Sequence, residues 1–341
     1  MTLSPLTRRR LTVFRANKRG YWSLIIFSLL IVPTLFAEFL ANDRPILVRY
    51  DGAFYAPILR DYLDTDFGGD LGIPADFTDA ELTRQIRAKG WAVWPLIPFN
   101  SFNAVKDLGR TGPTPPTARN LLGTDGQSRD VVARLVYGLR ISVLFGLILT
   151  VVSSIVGIAA GAVQGYFGGL IDLLFQRFLE LWSSLPQLYV LILMASIIEP
   201  TFWSLLGIML LFSWTTLVGL VRAEFLRTRN FDYVRAARAL GVSDSKIMIR
   251  HMLPNATIST MTYLPFIAAG SVTTLTALDF LNFGLPPGSP SLGELLLQGK
   301  DNLQAPWLGL TGFFVIAILL TLLIFIGEAV RDAFDPRKIL A

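Results

Sequence analysis

The chain has 341 residues, of which 52% are hydrophobic and only 16% charged, with 30 basic against 25 acidic side chains and a mean hydropathy of +0.54. Soluble chains carry about 25% charged residues, so this deficit points to a membrane protein. The absence of cysteine excludes disulfides, thiolate metal sites and a Cys nucleophile, and a single histidine, His251, argues against a His-based metal centre.

Residues 1–20 carry Arg8, Arg9, Arg10, Arg15, Lys18 and Arg19 and no acid. A bilayer-crossing helix needs about 20 mostly apolar residues. Six stretches qualify: 21–40, 141–163, 173–198, 202–221, 258–280 and 307–326. The first exceeds the roughly 7–15 residues of a signal-peptide core and has no A-x-A cleavage site, so it reads as a span. The basic residues flank these spans, which explains the positive balance through membrane orientation rather than nucleic-acid binding. The N-terminus, the segment after the fourth span (Arg222, Arg227, Arg229, Arg235, Arg238, Lys246, Arg250) and the tail (Arg331, Arg337, Lys338) share one side if there are six spans. That side is cytoplasmic by the positive-inside rule. The fold class is therefore all-α, with both termini in the cytoplasm.

Residues 42–140 form a long outward segment whose first half is acidic: Asp51, Asp61, Asp64, Asp66, Asp70, Asp76 and Asp79. It reads either as a solvated loop with one helix over 78–89 or as a small ordered cap. Trp91, Trp94 and Phe99 suit a membrane interface. Gly112-Pro113-Thr114-Pro115-Pro116 reads as a stiff linker. Along the second span Gly157, Gly161, Gly165 and Gly169 recur every four residues, the spacing at which small residues let helices approach closely. Pro186 and Pro265 predict kinks in the third and fifth spans. Inside the third span Glu180 lies three residues after Arg177; an i,i+3 ion pair and a place lining a pathway for charged cargo both remain open. Glu38 and Asp279 fall near outer span ends, where interface exposure accounts for them.

Residues 222–257 are the most informative. Ala and Arg favour helix over 232–240, Gly241 suits a left-handed C′ cap, Ser243 is a candidate N-cap with Asp244 in the next first turn, and Pro254 stops or kinks the second helix. The pattern is helix, turn, helix. Small Ala236 and Ala237 permit close approach by another surface, and the basic side chains suit an acidic partner or lipid headgroups. No G-x-x-x-x-G-K-[ST] phosphate loop is present. The nearest match, Gly293 to Gly299-Lys300-Asp301, has the wrong spacing and lacks the hydroxyl. No G-x-S-x-G or H-E-x-x-H motif occurs either.

This helix–Gly–helix stretch resembles the EAA loop of ABC importer permeases: Ala236-Ala237, Gly241 and Leu253-Pro254 fall at that motif's spacing. Arg235 stands in place of its Glu and His251 in place of an apolar residue. The Arg250-His251-x-Leu253-Pro254-Asn255 form is similar to the peptide and nickel branch. So are Leu122-Gly123-Thr124-Asp125, Arg129-Asp130 and Tyr137 to Ser142, with Ser128 where that family has Gly, and the stretch from Trp307 to Arg337. The resemblance runs over 121–337, but the long acidic segment is unlike the shorter loop of typical members.

The resemblance implies a permease subunit of a binding-protein-dependent, ATP-driven importer of peptides or peptide-like compounds. It divides the chain into a tail 1–20, a first span 21–41, a periplasmic segment 42–140, a five-helix core 141–327 and a tail 328–341. It implies an ATPase-coupling loop, 222–257, in which Arg235, Ala236, Ala237, Leu240, Gly241, His251, Leu253 and Pro254 carry the motif. It further implies no catalytic, cofactor or metal site in this chain, and ATP bound by one or two partner subunits. The remaining partners are a second homologous permease, a periplasmic substrate-binding protein and the lipid bilayer of a bacterial inner membrane. An ion-gradient-driven secondary transporter is the alternative, but such proteins show a charged relay and paired broken spans, and here one inner carboxylate stands alone. A non-transporting scaffold would leave the loop without a reason.

Overall fold

A computed structural model describes residues 5–335, apart from 107 and 110; Arg337 and Lys338 of the basic tail lie outside the described residues. Helix α1 (Pro5–Ala16) leads into α2 (Lys18–Thr34), whose start is capped by Asn17, and a short α3 (Ala37–Leu40) follows. The core comprises α5 (Val131–Phe167), α6 (Gly169–Ser183), α7 (Gln187–Ile197), α8 (Phe202–Ser213), α9 (Thr215–Thr228), α13 (Leu264–Phe280), α14 (Leu292–Asp301) and α15 (Pro306–Phe334), with α10–α12 between α9 and α13.

Three stretches, Val131–Phe167, Phe202–Thr228 and Pro306–Phe334, are long and apolar enough to cross a membrane. Two bent pairs qualify jointly: α6 with α7, at 73°, and Asp244–Met261 with α13, at 55°. The bends fall where proline interrupts: Pro186 directly precedes α7 and Pro265 opens α13, because proline removes a helix donor and clashes with the preceding turn. Helix α5 starts well before its apolar stretch because Asp130 caps it, accepting from Ala133 N at 2.8 Å.

Residues 42–140 correct the all-α expectation. It contains an antiparallel sheet in the order β2-β1-β3, with β1 Leu47–Tyr50, β2 Ala53–Tyr55 and β3 Gly90–Val93. Asp51 (φ 48°) and Gly52 (φ 82°) form the β1–β2 turn, the two-residue hairpin that asks for positive φ twice. Helix α4 (Ala80–Lys89) turns Leu82 and Ile86 inward. Phe67, fully buried, sits among Tyr50, Tyr55, Tyr62 and Phe77 at centroid distances of 5.8, 4.9, 6.1 and 5.4 Å. This is a small ordered domain with its own core. Burial pushes the Asp76 carboxyl up, but hydrogen bonds from Lys106 and Thr78 outweigh it and hold the group below the usual carboxylate value.

Several local expectations change. Trp94 packs against the core of this domain. Phe99 is buried with Ala37, Ala41 and Tyr137 in the seam joining it to the helices. The 112–116 linker is pinned: Thr114 is buried and accepts or donates at 2.8 Å to the Thr124 hydroxyl. Ser128 adopts φ 62°, the left-handed conformation that accounts for Gly at this place in the related family. Glu38 is not merely at an interface, since both of its carboxylate oxygens accept from Arg140, at 2.8 and 2.9 Å. Asp279 is buried rather than exposed and accepts from Leu285 N at 2.8 Å, closing the turn after α13. Gly293 and Gly299 both lie in α14, where a Cβ would sit 2.3 Å from Thr276 O and 2.4 Å from Gly309 Cα; they serve helix packing, not a phosphate.

The glycine repeat seats α9 on α5. A Cβ at Gly157, Gly161 or Gly165 would lie 2.4 Å from Trp214 O, 2.6 Å from Val218 O or 2.6 Å from Phe225 Cβ. Gly169 is the exception: it faces open space and serves a positive φ of 57° at the start of α6. Gly161→Ala is expected to lower the thermal midpoint of the purified chain, by an overpacking cost of about 1–3 kcal/mol, because a backbone carbonyl cannot step aside. Gly219→Ala, in the same contacting helix but with nothing near its added methyl, is expected to keep or raise the midpoint, since Ala favours helix by about 1 kcal/mol over Gly. Equal midpoints for the two variants would remove the steric reading of the seam.

Candidate functional site

The loop between α9 and α13 is built as a folded block. After α9, Phe231 (ψ 148°) starts α10 (Asp232–Ala239). The helix ends in a Schellman motif: Gly241 N donates to Arg238 O at 3.0 Å and Val242 N to Ala237 O at 3.1 Å, with Gly241 at φ 76°. That geometry satisfies the helix's last carbonyls and requires a residue free to enter the left-handed region. Ser243 has the extended backbone of an N-cap, yet its hydroxyl makes no capping bond; Asp244 opens α11 (Asp244–Lys246). Residues Ile247–Met252 form a π-helical turn. Pro254 does not stop the helix. It sits at the start of α12 (Leu253–Met261), and the wider turn before it makes room for a ring that would clash with the carbonyl four residues back.

The block has two faces. Val234, Ala237, Ile247 and Met252 are buried with Ala162 and Tyr166 of α5, Val221 and Phe225 of α9 and Ala256 of α12, while Leu253 packs on the rim. The opposite face exposes Arg235, Ala236 and Leu240, the last 83% exposed. Polar ties fasten the inner face. Tyr166 Oη lies 2.5 Å from Asp244 Oδ1, the Arg238 guanidinium stands 5.3 Å over the Tyr166 ring, and Asn255 Nδ2 donates to Tyr233 Oη at 3.0 Å. Beside the block, Asp172 of α6 accepts twice from Arg222 of α9, at 2.5 and 2.7 Å. His251 is half-buried within the π-helical turn. The structure thus gathers the eight loop residues into one unit whose inside is continuous with two long helices.

Glu180 stands apart from this unit. On α6, Arg177 Nη1 lies 2.5 Å from Glu180 Oε2, so the i,i+3 pair forms. No residue of α6 is buried; besides the Asp172–Arg222 pair it is held by Trp182, which donates to Leu211 O at 2.9 Å and stacks on Phe212 at 5.5 Å.

Sequence reasoning missed two features. One is the Tyr166–Asp244 tie, signalled only by a hydroxyl-bearing ring at the inner end of a span. The other is a buried ionic cluster at the opposite end of α5. Arg129 Nε donates to fully buried Asp125 at 2.7 Å and Arg129 Nη2 to Glu294 at 3.2 Å. Arg134 pairs with Glu294 and donates to Ser101 O at 3.0 Å and Ser289 O at 2.9 Å. Its signal was an arginine within an apolar helical run, which can be buried only if paired. Among the described residues no group of His, Cys, Asp and Glu is arranged to hold a metal ion.

Bent apolar spans joined through a helix–Gly–helix block are the arrangement of a membrane permease. Residues 153–340 match the family model "Binding-protein-dependent transport system inner membrane component", and the chain belongs to that family. It is 59% identical to the inner membrane ABC transporter permease protein YejE of Escherichia coli K12, over 98% of both chains. It is 56% identical to the peptidoglycan transport system permease protein YejE of Agrobacterium fabrum, over 98% of this chain and 94% of that one. Similarity to the oligopeptide transport system permease protein OppC of Lactococcus lactis IL1403 is 38%, over 66% of this chain and 78% of that protein.

Tyr166→Phe keeps the ring and deletes the hydroxyl bonded to Asp244. It is expected to cost about 1 kcal/mol and to raise hydrogen–deuterium exchange across 232–252 while leaving α13 and α15 protected. Unchanged exchange in the loop would show that the apolar inner face alone holds it.

Proposed function

We propose that this chain is the permease subunit of an ATP-driven importer of peptides or peptide-like compounds, and that residues 222–257 are its coupling loop. The observation that carries this is the two-faced block around Gly241. An exposed face of Arg235, Ala236 and Leu240 backs onto a buried face packed between α5 and α9, so a push on the outside is delivered to the spans. In this reading Arg235, Ala236, Leu240 and Gly241 meet a groove on a cytoplasmic ATPase, while Ala237, His251, Leu253 and Pro254 hold the block together. ATP is bound by one or two such partner subunits. Peptide cargo is supported by the names of the relatives and by the long acidic segment, which resembles that of the permease of the peptide and microcin C uptake system.

Six spans follow if α2 is counted with the three long helices and the two bent pairs. Asn17 Nδ2 donates to Asp332 at 3.3 Å, and a Cβ on Gly20 would meet Ala329, so the start of α2 and the end of α15 lie together. This supports both termini on the side of the basic loop, the cytoplasm, and the segment 42–140 in the periplasm, where it offers a contact for a substrate-binding protein. The unburied α6, with Glu180, is the surface on which a second, homologous permease completes the pathway.

Gly241→Val forces a β-branched residue into positive φ and is expected to abolish uptake in the assembled transporter without stopping insertion. Gly241→Asn, which tolerates that region, is expected to retain most of it. Normal uptake and normal ATPase association in Gly241→Val would sink the coupling assignment. Because the chain lacks cysteine, single cysteines report topology cleanly: Thr12→Cys is expected to resist a membrane-impermeant maleimide in spheroplasts and Thr65→Cys to react. Labelling at position 12 from outside would reverse the orientation.

A further inference from the structure

An apolar groove of about 790 Å³ opens between α1, α12 and α15. Its walls are Leu11 and Phe14 of α1, Ile258 and Met261 of α12, and Val330 and Phe334 of α15. Among the described residues no carboxylate lines it. One charge does: Arg10, whose guanidinium lies 4.4 Å over the Phe334 ring, and whose Nε is buried without a hydrogen-bond partner. A buried donor left unmet is costly, and a cation facing apolar walls with no counter-charge among the described residues calls for an anion carried on an apolar chain.

The helix that supplies Arg10 is built to lie at a membrane surface. At 100° per residue, Thr7, Arg10, Leu11 and Phe14 form one stripe facing the groove, and these are its α1 lining residues. Arg8 and Arg15, seven residues apart and both exposed, run along one flank of that stripe. Lys18 and Arg19 follow, and no acid occurs in the first twenty residues. Apolar on one side and basic beside it, such a helix rests among headgroups and attracts anionic lipid.

We propose that this groove is a binding site for an anionic phospholipid, with one acyl chain between α1, α12 and α15, the phosphodiester on Arg10, and Arg8 and Arg15 along the headgroup. Pro254, which ends the π-helical turn of the loop, also lines the groove. A bound lipid therefore ties the N-terminal helix to the base of the loop and biases the position from which the loop moves. This regulatory consequence rests on the coupling reading given above; the binding site itself does not.

The test uses the full-length chain purified in detergent, with native mass spectrometry after addition of phosphatidylglycerol or of phosphatidylcholine bearing the same acyl chains. Wild type is expected to retain phosphatidylglycerol severalfold more than phosphatidylcholine. Arg10→Gln is expected to lose that preference and Arg10→Lys to recover part of it. Met261→Trp, at a position 42% exposed, is expected to fill the groove and lower retention of both lipids. Glycerol phosphate in excess is expected not to displace the lipid, because the acyl chain supplies the binding; displacement would assign the site to a free phosphate and overturn the proposal. Equal retention of the two lipids by wild type, or unchanged retention in Arg10→Gln and Met261→Trp at unchanged thermal midpoint, would also overturn it. Failure of Gly241→Val to block uptake would remove the regulatory consequence and leave these binding results standing.

Discussion

The fold depends on how closely α5 and α9 approach each other. In lipid there is no hydrophobic drive for one apolar helix to leave acyl chains for another, so helices associate by close packing and polar contacts. Gly157, Gly161 and Gly165 remove the side chains that would hold the two backbones apart, and the carbonyls of Trp214, Val218 and Arg222 move into the space. The contact is rigid because its surfaces are backbone, which has no rotamers to absorb a displacement. Leu and Phe elsewhere in the core fill volume, but the glycine contact fixes which two helices behave as one body.

That rigidity determines what the loop can transmit. The same contact continues past the spans: Ala162 and Tyr166 on α5 and Val221 and Phe225 on α9 become the floor on which Val234, Ala237, Ile247 and Met252 rest. The Schellman turn at Gly241 finishes α10 without a loose end, so the block has no compliant joint until the break before Pro265. An ATPase surface closing on Leu240 and Ala236 would move two long helices together rather than bend a loop. Membership of the binding-protein-dependent permease family gives such a motion a purpose.

Much of this was legible in the sequence, for identifiable reasons. The glycine spacing, the Gly241 turn and the bends at Pro186 and Pro265 each follow from a residue type with few conformational options. What is not legible there lies in residues 42–140. Asp51 was counted for its charge, whereas with Gly52 it is a hairpin signal flanked by Leu47–Tyr50 and Ala53–Tyr55. Phe67 and Phe77 looked like isolated aromatics because a small core assembled from short pieces has no periodicity. The buried cluster of Asp125, Arg129, Arg134 and Glu294 was equally invisible: the first three are near in sequence, but Glu294 is brought to them only by the packing of α14.

The two ends of α5 are held by different means, and that difference suggests where movement begins. At the end near 130, buried Arg129, Arg134 and Asp125 pair with partly buried Glu294, and the two guanidiniums also donate to the carbonyls of Ser101, Gly288 and Ser289. Separating them would strand paired charges away from water, at a cost of about 3–5 kcal/mol for a broken buried pair. At the end near 167, the polar ties are separate and partly exposed: single hydrogen bonds join Tyr166 to Asp244 and Asn255 to Tyr233, and a two-pronged pair joins Arg222 to Asp172. Contacts of this kind contribute about 1 kcal/mol each and can be exchanged for water. A helix anchored firmly at one end and lightly at the other would pivot about the firm end, with the loop moving more than the end beside the small β-sheet domain. The lighter end is also where the basic helix α1 and its apolar groove adjoin the base of the loop at Pro254.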